Sequence, residues 1–258
     1  MNLKRALFKL KRYYFLKTSV AVRPIKSERI GSDYGGWAIP VGLLNKNSIC
    51  YLAGVGEDIS FDLGIANKYG CSAFLFDPTP RALVHYNQLT KAVAQNVAMR
   101  YNNTEVYNTS AKAINCLSFV AKGLWGNKET LKFYKPVNDQ HVSHSALNLH
   151  KTTDYFEAEA DTVTAFMNQF GHKELDLLKL DIEGAEYKVL DSVLENKAKI
   201  KVICVEFDES HTPLDNDYLK RIKAAIQQLK AAAYVITHID KEYNYTFVRN
   251  DIFETLKH

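Results

Sequence analysis

Two apolar runs of the sequence end in side chains that can move a proton or stabilise charge. The runs span residues 175–180 and 200–207, and their composition is typical of strands buried on both faces of a parallel sheet. The ionisable side chains in or just after them include Lys179, Asp181, Glu183, Glu206 and His211. Ligands of parallel sheets bind beyond the carboxyl ends of the strands, so the pattern indicates acid–base or electrostatic chemistry at one sheet edge. A salt-bridged helix N-terminus is the alternative, which explains Glu186 but explains Lys179 and Asp181 poorly.

A glycine turn earlier in the chain has the pattern of a nucleotide-binding site. The apolar run 49–53 breaks at Gly54-Val55-Gly56, and a helix is predicted over residues 59–68. Glycine lets the backbone approach a ligand, and the unpaired N–H groups of a helix N-terminus favour polar or anionic groups. Strand, turn and helix together therefore predict a cofactor site.

The next apolar run, residues 71–76, ends on Asp77, which follows Gly56 by 21 residues. In dinucleotide-type folds an acid at this point accepts hydrogen bonds from ribose hydroxyls, although Asp77–Pro80 also has the composition of a surface turn. A nicotinamide fingerprint requires a third glycine at the position of Ile59, so the sequence argues against that cofactor.

A glycine-rich loop is predicted just before the first strand. Residues 31–42 hold four of the 12 glycines in the chain, together with Tyr34 and Trp37. Loops near a glycine turn often bind substrate, and both rings are suited to stacking on a sugar or a base. The alternative for Trp37 is a place in the core.

A polar segment, residues 135–154, contains His141 and His144 and is predicted to be a substrate loop. The histidine spacing fits no standard helical zinc pair, and no cysteine lies nearby. The sequence therefore predicts no metal site, although a divalent ion at the acidic sheet edge stays open.

The other periodic segments complete a single α/β domain. Helices are predicted over residues 80–99, 163–170, 187–194 and 216–233. A third core strand is predicted over 117–123, with Gly126-Asn127 opening a hairpin into 130–134, and a closing antiparallel hairpin over 234–239 and 245–249. Residues 1–45 are interpreted as a basic arm with the glycine-rich loop, and residues 46–258 as the main domain.

Positive charge is concentrated at one end of the chain. The net charge is +4, but residues 1–27 carry eight basic residues and no acidic one, which leaves −4 over residues 28–258. Nucleic-acid enzymes usually carry basic surface around the active site, so no nucleic-acid partner is predicted. Residues 2–17 are predicted to form a basic amphipathic helix. Such a helix lies on an anionic membrane surface, or packs on the body or on a second subunit.

Composition gives a further expectation about location. Apolar residues make up 47% and charged residues 24% of the chain, as in ordinary globular proteins. No apolar run approaches the roughly 18 residues of a membrane span, and no secretory signal is evident. The four cysteines are widely spaced, which is typical of reduced thiols. We therefore expect a cytoplasmic protein, either free or peripheral at the inner face of the membrane.

Three segments together resemble the signatures of the FkbM-type S-adenosylmethionine-dependent methyltransferases. They are Gly54–Ser60 (GVGEDIS), Phe76–Pro80 (FDPTP) and Leu178–Glu186 (LKLDIEGAE), of which the third is the most specific. The resemblance covers about residues 48–250. It implies a Rossmann-like class I methyltransferase fold, with a mostly parallel sheet and an antiparallel last strand, behind an N-terminal helical arm. It also implies S-adenosylmethionine as cofactor and O-methylation, often of sugars in polysaccharides, glycolipids or natural products.

The resemblance also implies roles for individual residues in holding the cofactor. The methionine end would be held by Gly54, Val55, Gly56, Asp58 and Ser60. The ribose would be held by Asp77 beside Pro78, and the adenine would be approached by Lys122, Gly123 and Leu124.

The signatures depart from the family pattern at three positions. The family commonly has an acid where this chain has Gly54, a glycine at Ser60, and more often Glu at Asp77. Asp58 is the acid that can replace the missing one. These departures motivate the alternative of a catalytically inactive cofactor-binding partner protein, and an RNA methyltransferase is the other alternative.

The methyl transfer that the resemblance implies gives roles to the charged residues at the sheet edge. A sulfonium methyl is already activated, so the enzyme must align an oxygen nucleophile with the S–CH3 bond and help remove its proton. Asp181 or His211 is the expected base. Glu183 and Glu206 are expected to orient the substrate or hold a divalent ion. Lys179 is expected to polarise the acceptor oxygen or to pair with one of these acids. The expected acceptor is a sugar hydroxyl, and the oligomeric state is left open.

Overall fold

A seven-stranded sheet lies at the centre of the protein. The structure is a computed structural model that describes residues 3–101, 105–134 and 152–257, without the side chains of residues 3–7 and 9. The described helices are α1 (Leu3–Ser19), α2 (Ser60–Tyr69), α3 (Pro80–Ala94), α4 (Ala111–Ile114), α5 (Val163–Phe170), α6 (Glu186–Glu195), α7 (Tyr218–Ala231) and α8 (Asn250–Leu256). The described strands are β1 (Ser27–Ile30), β2 (Trp37–Pro40), β3 (Ile49–Ala53), β4 (Ser72–Phe76), β5 (Arg100–Tyr101), β6 (Glu105–Val106), β7 (Leu117–Val120), β8 (Gly123–Leu124), β9 (Glu129–Tyr134), β10 (Tyr155–Asp161), β11 (Leu175–Leu180), β12 (Ile200–Glu206), β13 (Tyr234–Ile239) and β14 (Asn244–Arg249).

The strand order of the central sheet is β7-β4-β3-β11-β12-β14-β13. β14 runs antiparallel to the other six strands of this sheet. The chain enters at β3, builds outward to β7, and then returns to build the other half from β11. Parallel sheets bind ligands at such a switch point. This topology is that of the Rossmann-like class I methyltransferase fold, so the predicted fold class is confirmed.

Helices cover both faces of the sheet, which explains why its inner strands are mostly apolar on both faces. In β3, Cys50 and Leu52 share a core with residues of α2 and α3. The alternate residues Tyr51 and Ala53 share a second core with residues of α5, α6 and α7. Successive side chains of a strand point to opposite faces, so both sets are buried.

Helix α3 begins where the sequence predicts and ends earlier. The Thr79 hydroxyl accepts a hydrogen bond from the backbone N–H of Ala82 at 3.3 Å, and Pro80 occupies the first turn, where its missing N–H costs nothing. The helix ends at Ala94 and not near residue 99, because Asn96 takes a left-handed conformation with φ of 55°.

The predicted third strand over 117–123 is wrong in its extent, because the segment belongs to two sheets. β7 pairs with β4 in the central sheet. β8 instead pairs in parallel with β10 of a separate three-stranded sheet. The hairpin predicted at Gly126-Asn127 is also wrong, because β9 pairs antiparallel with β10 and β10 lies between β8 and β9.

The glycine-rich segment before the first core strand is partly a hairpin. β1 and β2 pair antiparallel over four residue pairs, and Trp37 opens β2. The Trp37 side chain is 2% exposed and belongs to the core. The prediction that Trp37 contacts substrate is therefore wrong, and Trp37 is a core residue, because its strand directs the ring inward. The closing helix α8 was not predicted.

The N-terminal helix packs on the body of the protein. Phe15 is buried in the same core as residues of α7, and the Phe8 ring lies 5.5 Å from that of Tyr218. The opposite face of α1 exposes Leu10, Tyr13 and Tyr14. No helix in the described part of the chain is long and apolar enough to cross a membrane.

Candidate active site

A cavity of about 960 Å³ lies at the carboxyl edge of the central sheet. A volume of this size is typical of a site for a small molecule or cofactor. The structure brings together most of the sequence-predicted site residues on its walls: Tyr34, Gly54, Val55, Gly56, Asp58, Asp77, Pro78, Gly123, Leu124, Lys179, Asp181, Glu183, Glu206 and His211.

Gly54 lies where β3 and β11 approach each other most closely. Its φ is 79°, and a Cβ atom at this position would lie 1.6 Å from the carbonyl oxygen of Asp181. The Asp181 N–H in turn donates to the carbonyl of Ala53 at 3.3 Å. Any side chain at residue 54 would therefore push the two strand ends apart, which explains why this chain has glycine here.

Asp77 holds the glycine turn in place. Its Oδ2 accepts hydrogen bonds from the N–H groups of Val55 at 3.0 Å and Gly56 at 2.9 Å. Its Oδ1 accepts from the N–H of Thr79 at 2.8 Å and from the Thr79 hydroxyl at 2.6 Å. A carboxylate has about four acceptor sites, so a ribose contact at Asp77 has to share one of them. The structure adds a role in shaping the turn that the sequence did not reveal.

Lys179 links the turn to β11 from beneath the cavity. The residue is 6% exposed, and its ammonium donates to the carbonyl of Gly54 at 2.7 Å and lies 3.0 Å from Oδ2 of Asp181. Burial would lower the pKa of Lys179, but the nearby carboxylates of Asp181 and Asp62 raise it above its usual value. Lys179 is therefore a fixed positive charge with two of its three donors committed to the protein.

Asp62 is a cavity residue that the sequence analysis missed. It lies in the first turn of α2, is 5% exposed and lines the cavity. Burial raises its pKa to about 6, and the positive charge of Lys179 opposes that rise. An acid in the first turn of a helix is ordinary, so only the packing of α2 against the sheet reveals its position.

Glu206 and His211 form an acid–base pair at one end of the cavity. The Nε2 atom of His211 lies 3.1 Å from Oε1 of Glu206 and 2.8 Å from the carbonyl oxygen of Glu242. Because both neighbours accept, Nε2 carries a proton and Nδ1 is the atom left to take one. Burial and the charge of Asp181 raise the pKa of Glu206 to about 7, while Glu206 raises the pKa of His211.

Two more carboxyl groups belong to this region: Asp208 lines the cavity, whereas Glu186 directly follows the lining residue Ala185 and does not line it. Burial, with repulsion from Glu183, raises the pKa of Asp208 to about 8. Glu186 is fully buried below them, and its Oε1 accepts from the N–H groups of Ile182 and Gly184 at 3.1 Å each. Glu186 therefore closes the loop before α6, in agreement with the helix-terminus interpretation.

Another part of the cavity wall is apolar and forms a slot. Phe76, Leu124 and Phe133 contribute side chains to it, beside Gly123. A Cβ atom on Gly123 would lie 3.1 Å from the Phe133 ring, so glycine keeps this wall open. The slot is suited to a flat aromatic group, since stacking surfaces are provided by Phe133 and by the backbone at residue 123.

Four predicted contacts lie away from the cavity or outside the described residues. Lys122 is corrected from adenine contact to surface residue, because it forms an exposed ion pair with Glu159 at 2.5 Å. Ser60 lies behind the turn, where its hydroxyl accepts from the N–H of Ser32 at 2.8 Å. His141 and His144 lie outside the described residues. Within the described ranges, no group of three or more His, Cys, Asp or Glu side chains is arranged to hold a metal ion.

Comparison with known proteins gives a family match over most of the chain. A family model described as the methyltransferase FkbM domain matches residues 13–244. A human protein named probable methyltransferase-like protein 24 is 22% identical over 194 residues, which cover 70% of this chain and 41% of that protein. This chain therefore spans less than half the length of that relative. The Methanococcus jannaschii fibrillarin pre-rRNA processing protein aligns with a TM-score of 0.41 and 11% identity over 81% of this chain and 70% of its own, too low for any inference.

Proposed function

This chain belongs to the FkbM methyltransferase family, and we propose that it is an S-adenosylmethionine-dependent O-methyltransferase that acts on a sugar hydroxyl. The acceptor class is a glycan, a glycolipid or a related natural product. Family membership supports methyl transfer, and the sheet topology supports S-adenosylmethionine as the donor. The chemistry of the cavity supports the choice of acceptor.

The charge of the cavity wall is the observation that carries the proposal. Among the described residues, ten acidic ones line the cavity, against two basic ones, Arg100 and Lys179. S-adenosylmethionine is positively charged at its sulfonium and ammonium centres, so an acidic wall attracts it. The same wall repels the phosphates of RNA, which argues against the RNA methyltransferase alternative. A neutral polyhydroxyl acceptor fits this electrostatic environment.

The residues fit the donor in separate parts of the cavity. The turn at residues 54–56 and the buried Asp62 would hold the methionine end, and the slot formed by Gly123, Leu124 and Phe133 would hold the adenine. Bound S-adenosylmethionine supplies an activated methyl group. Tyr34 is 76% exposed and lines the cavity, so its ring is free to stack on an incoming sugar.

Proton removal from the acceptor is assigned to the pair formed by Glu206 and His211. Glu206 orients the imidazole and stabilises its charged form, so Nδ1 of His211 can take the hydroxyl proton. Asp181 is held by Lys179 and is positioned to accept a hydrogen bond from a second sugar hydroxyl. Alignment of the oxygen with the S–CH3 bond supplies much of the rate in such a reaction.

Titration calorimetry tests the donor first. Purified protein is titrated with S-adenosylmethionine and, separately, with NADH. We expect micromolar binding of S-adenosylmethionine and none of NADH. Transfer of a radiolabelled methyl group to a panel of neutral sugars, compared with short RNA, then tests the acceptor. Donor binding without turnover on any sugar would favour the inactive partner protein, and labelling of RNA alone would overturn the sugar proposal.

We also propose that the enzyme works at an anionic membrane surface. The outward face of α1 exposes Leu10, Tyr13 and Tyr14, and the Lys17 ammonium lies 4.8 Å over the Tyr13 ring. Residues 1–27 carry eight basic residues and no acidic one, and Lys11 and Lys17 of α1 are exposed, so the helix complements anionic lipid.

Co-sedimentation with vesicles tests this location. We expect binding to vesicles that contain phosphatidylglycerol and little binding to phosphatidylcholine alone. The double variant Tyr13→Ser/Lys17→Ser should lose binding. The matched control is Tyr155→Ser/Lys132→Ser, which removes another lysine stacked on an exposed tyrosine, at 4.3 Å. Equal binding by both double variants would remove the membrane proposal.

A further inference from the structure

Arg12 reaches from the N-terminal helix to the rim of the cavity. Its guanidinium lies 3.8 Å over the Tyr243 ring and 5.0 Å over the Phe8 ring. Its Nη1 donates a hydrogen bond to the carbonyl of Ser210. A planar guanidinium can stack on a ring and donate in its own plane at the same time, which an ammonium cannot do.

Both partners of Arg12 on the body are neighbours of His211. Ser210 directly precedes His211 in the chain. Tyr243 directly follows Glu242, whose carbonyl lies 2.8 Å from Nε2 of His211. The Tyr243 ring also meets the His211 ring edge-on, at 6.3 Å between centroids. One side chain therefore braces the two loops that hold the imidazole.

Packing of α1 fixes the position of Arg12. Phe8, Arg12 and Phe15 follow each other at helical spacing and share the inward face. Phe8 lies against Tyr218 of α7, and Phe15 is buried in the core. The guanidinium is thus presented to the cavity rim by a helix anchored on both sides of it.

We propose that Arg12 is a positioning residue for His211 and couples the N-terminal helix to the proton-transfer end of the site. The inference rests on the proposed function in taking His211 as the group that accepts the proton. The contacts themselves are independent of that function. Loss of Arg12 frees the loops on either side of the imidazole and removes a positive charge beside it.

The positive charge of Arg12 changes the pKa of His211 in a defined direction. The charged groups that face His211 are Glu206 from β12, Asp208 from the following turn and Arg12 from α1. Glu206 raises the pKa of His211, and Arg12 lowers it. Removal of the guanidinium therefore leaves the imidazole protonated to a higher pH, where it cannot serve as a base.

NMR titration of the His211 ring in the full-length protein tests the inference without any acceptor. We expect Arg12→Gln to raise the His211 pKa measurably and to weaken the contact between the His211 and Tyr243 rings in NOE spectra. Arg12→Lys keeps the charge, so it should restore much of the pKa and little of the ring contact. Arg12→Lys also keeps the inference falsifiable if Arg12→Gln does not fold.

Arg23→Gln is the matched control. The Arg23 guanidinium lies 4.1 Å over the Phe253 ring and pairs with Glu254, so it is another arginine stacked near the N-terminus, but it has no described contact with His211. An Arg12→Gln spectrum of His211 identical to that of Arg23→Gln would overturn the inference.

Turnover separates the inference from the proposed function. With an accepted sugar, we expect Arg12→Gln to lower kcat roughly tenfold with little change in the KM for S-adenosylmethionine. A shifted His211 titration in a protein that methylates no acceptor would support the coupling and contradict the proposed function. Unchanged kcat in Arg12→Gln would contradict the coupling alone.

Discussion

Asp77 shows how a residue predicted to touch a ligand can act first on its own backbone. Its carboxylate accepts four hydrogen bonds, two of them from the turn at Val55 and Gly56. The residue is 5% exposed, so loss of the carboxylate leaves buried N–H groups without partners. The shape of the cofactor turn and the stability of the fold therefore depend on the same side chain.

Asp77→Ala is expected to lower the free energy of unfolding by about 2–4 kcal/mol and to abolish measurable binding of S-adenosylmethionine. Asp176→Ala is the matched control. Asp176 also accepts a hydrogen bond from a backbone N–H, that of Ile49 at 2.8 Å, but at the opposite edge of the sheet. Urea unfolding and calorimetry distinguish the two variants. Equal loss of cofactor binding in both would mean that stability alone explains the effect.

Glu206 sets the proton affinity of His211. Since the carboxylate of Glu206 raises the His211 pKa, Glu206→Gln should lower it. A base acts in its unprotonated form, so the rise of kcat/KM with pH should move to lower pH in the variant. The rate itself should fall roughly 10- to 100-fold, because the charged imidazole loses its partner.

Glu174→Gln is the control for this prediction, since Glu174 pairs with Arg249 and does not line the cavity. Its pH–rate profile should match that of the unchanged protein. A Glu206→Gln profile from which this rise with pH has disappeared would show that Glu206 itself is the base.

At the scale of the element, the contact between the ends of β3 and β11 creates the switch point. Gly54→Ala places a Cβ atom 1.6 Å from a backbone oxygen, so the strands must separate. We expect a loss of about 3–5 kcal/mol in the free energy of unfolding, or failure to fold. Gly56→Ala is the matched comparison, because Gly56 also has a positive φ, of 56°, but nothing lies within 4 Å of its added Cβ.

Gly56→Ala should cost only about 1–2 kcal/mol, the usual penalty of a left-handed alanine. Thermal or urea unfolding measures both variants. Similar losses in the two variants would mean that backbone conformation, and not the contact with Asp181, dictates glycine at residue 54.

The order of elements was predictable because the core strands are buried on both faces. β3, β11 and β12 appear in the sequence as largely apolar runs, and the structure has them within a residue of the predicted bounds. The split between β7 and β8 was not predictable, since β8 takes its partner from β10, more than thirty residues later. Pairing of distant strands leaves no local signal.

The candidate site was predictable to the extent that it follows strand ends. Asp181 and Glu206 lie in the cavity because each ends a parallel strand. Trp37 was misplaced because the direction of a side chain depends on strand pairing. Asp62 and Arg12 were missed because only the packing of their helices brings them to the site.

At the scale of the whole molecule, charge is divided between two regions. The N-terminal arm is basic, and the cavity is lined by acids. In the proposed function the arm faces anionic lipid while the cavity admits a cationic donor and a neutral acceptor. Such long-range fields govern association and weaken with salt.

The acidic cavity predicts a preference for S-adenosylmethionine over S-adenosylhomocysteine, which differs from it by one methyl group and one positive charge. Asp62, Glu206 and Asp208 have pKa values raised to about 6, 7 and 8, so they lose negative charge as the pH falls from 8.5 to 5.5. The dissociation constant of S-adenosylhomocysteine divided by that of S-adenosylmethionine should therefore fall towards one as the pH falls over that range. It should fall likewise when salt is added at pH 8.5. Calorimetric titration of both ligands at each pH measures the ratio. Asp208→Asn should make the ratio depend less on pH at the upper end of that range. A ratio independent of both pH and salt would mean that the carboxyl groups do not act on the sulfonium charge.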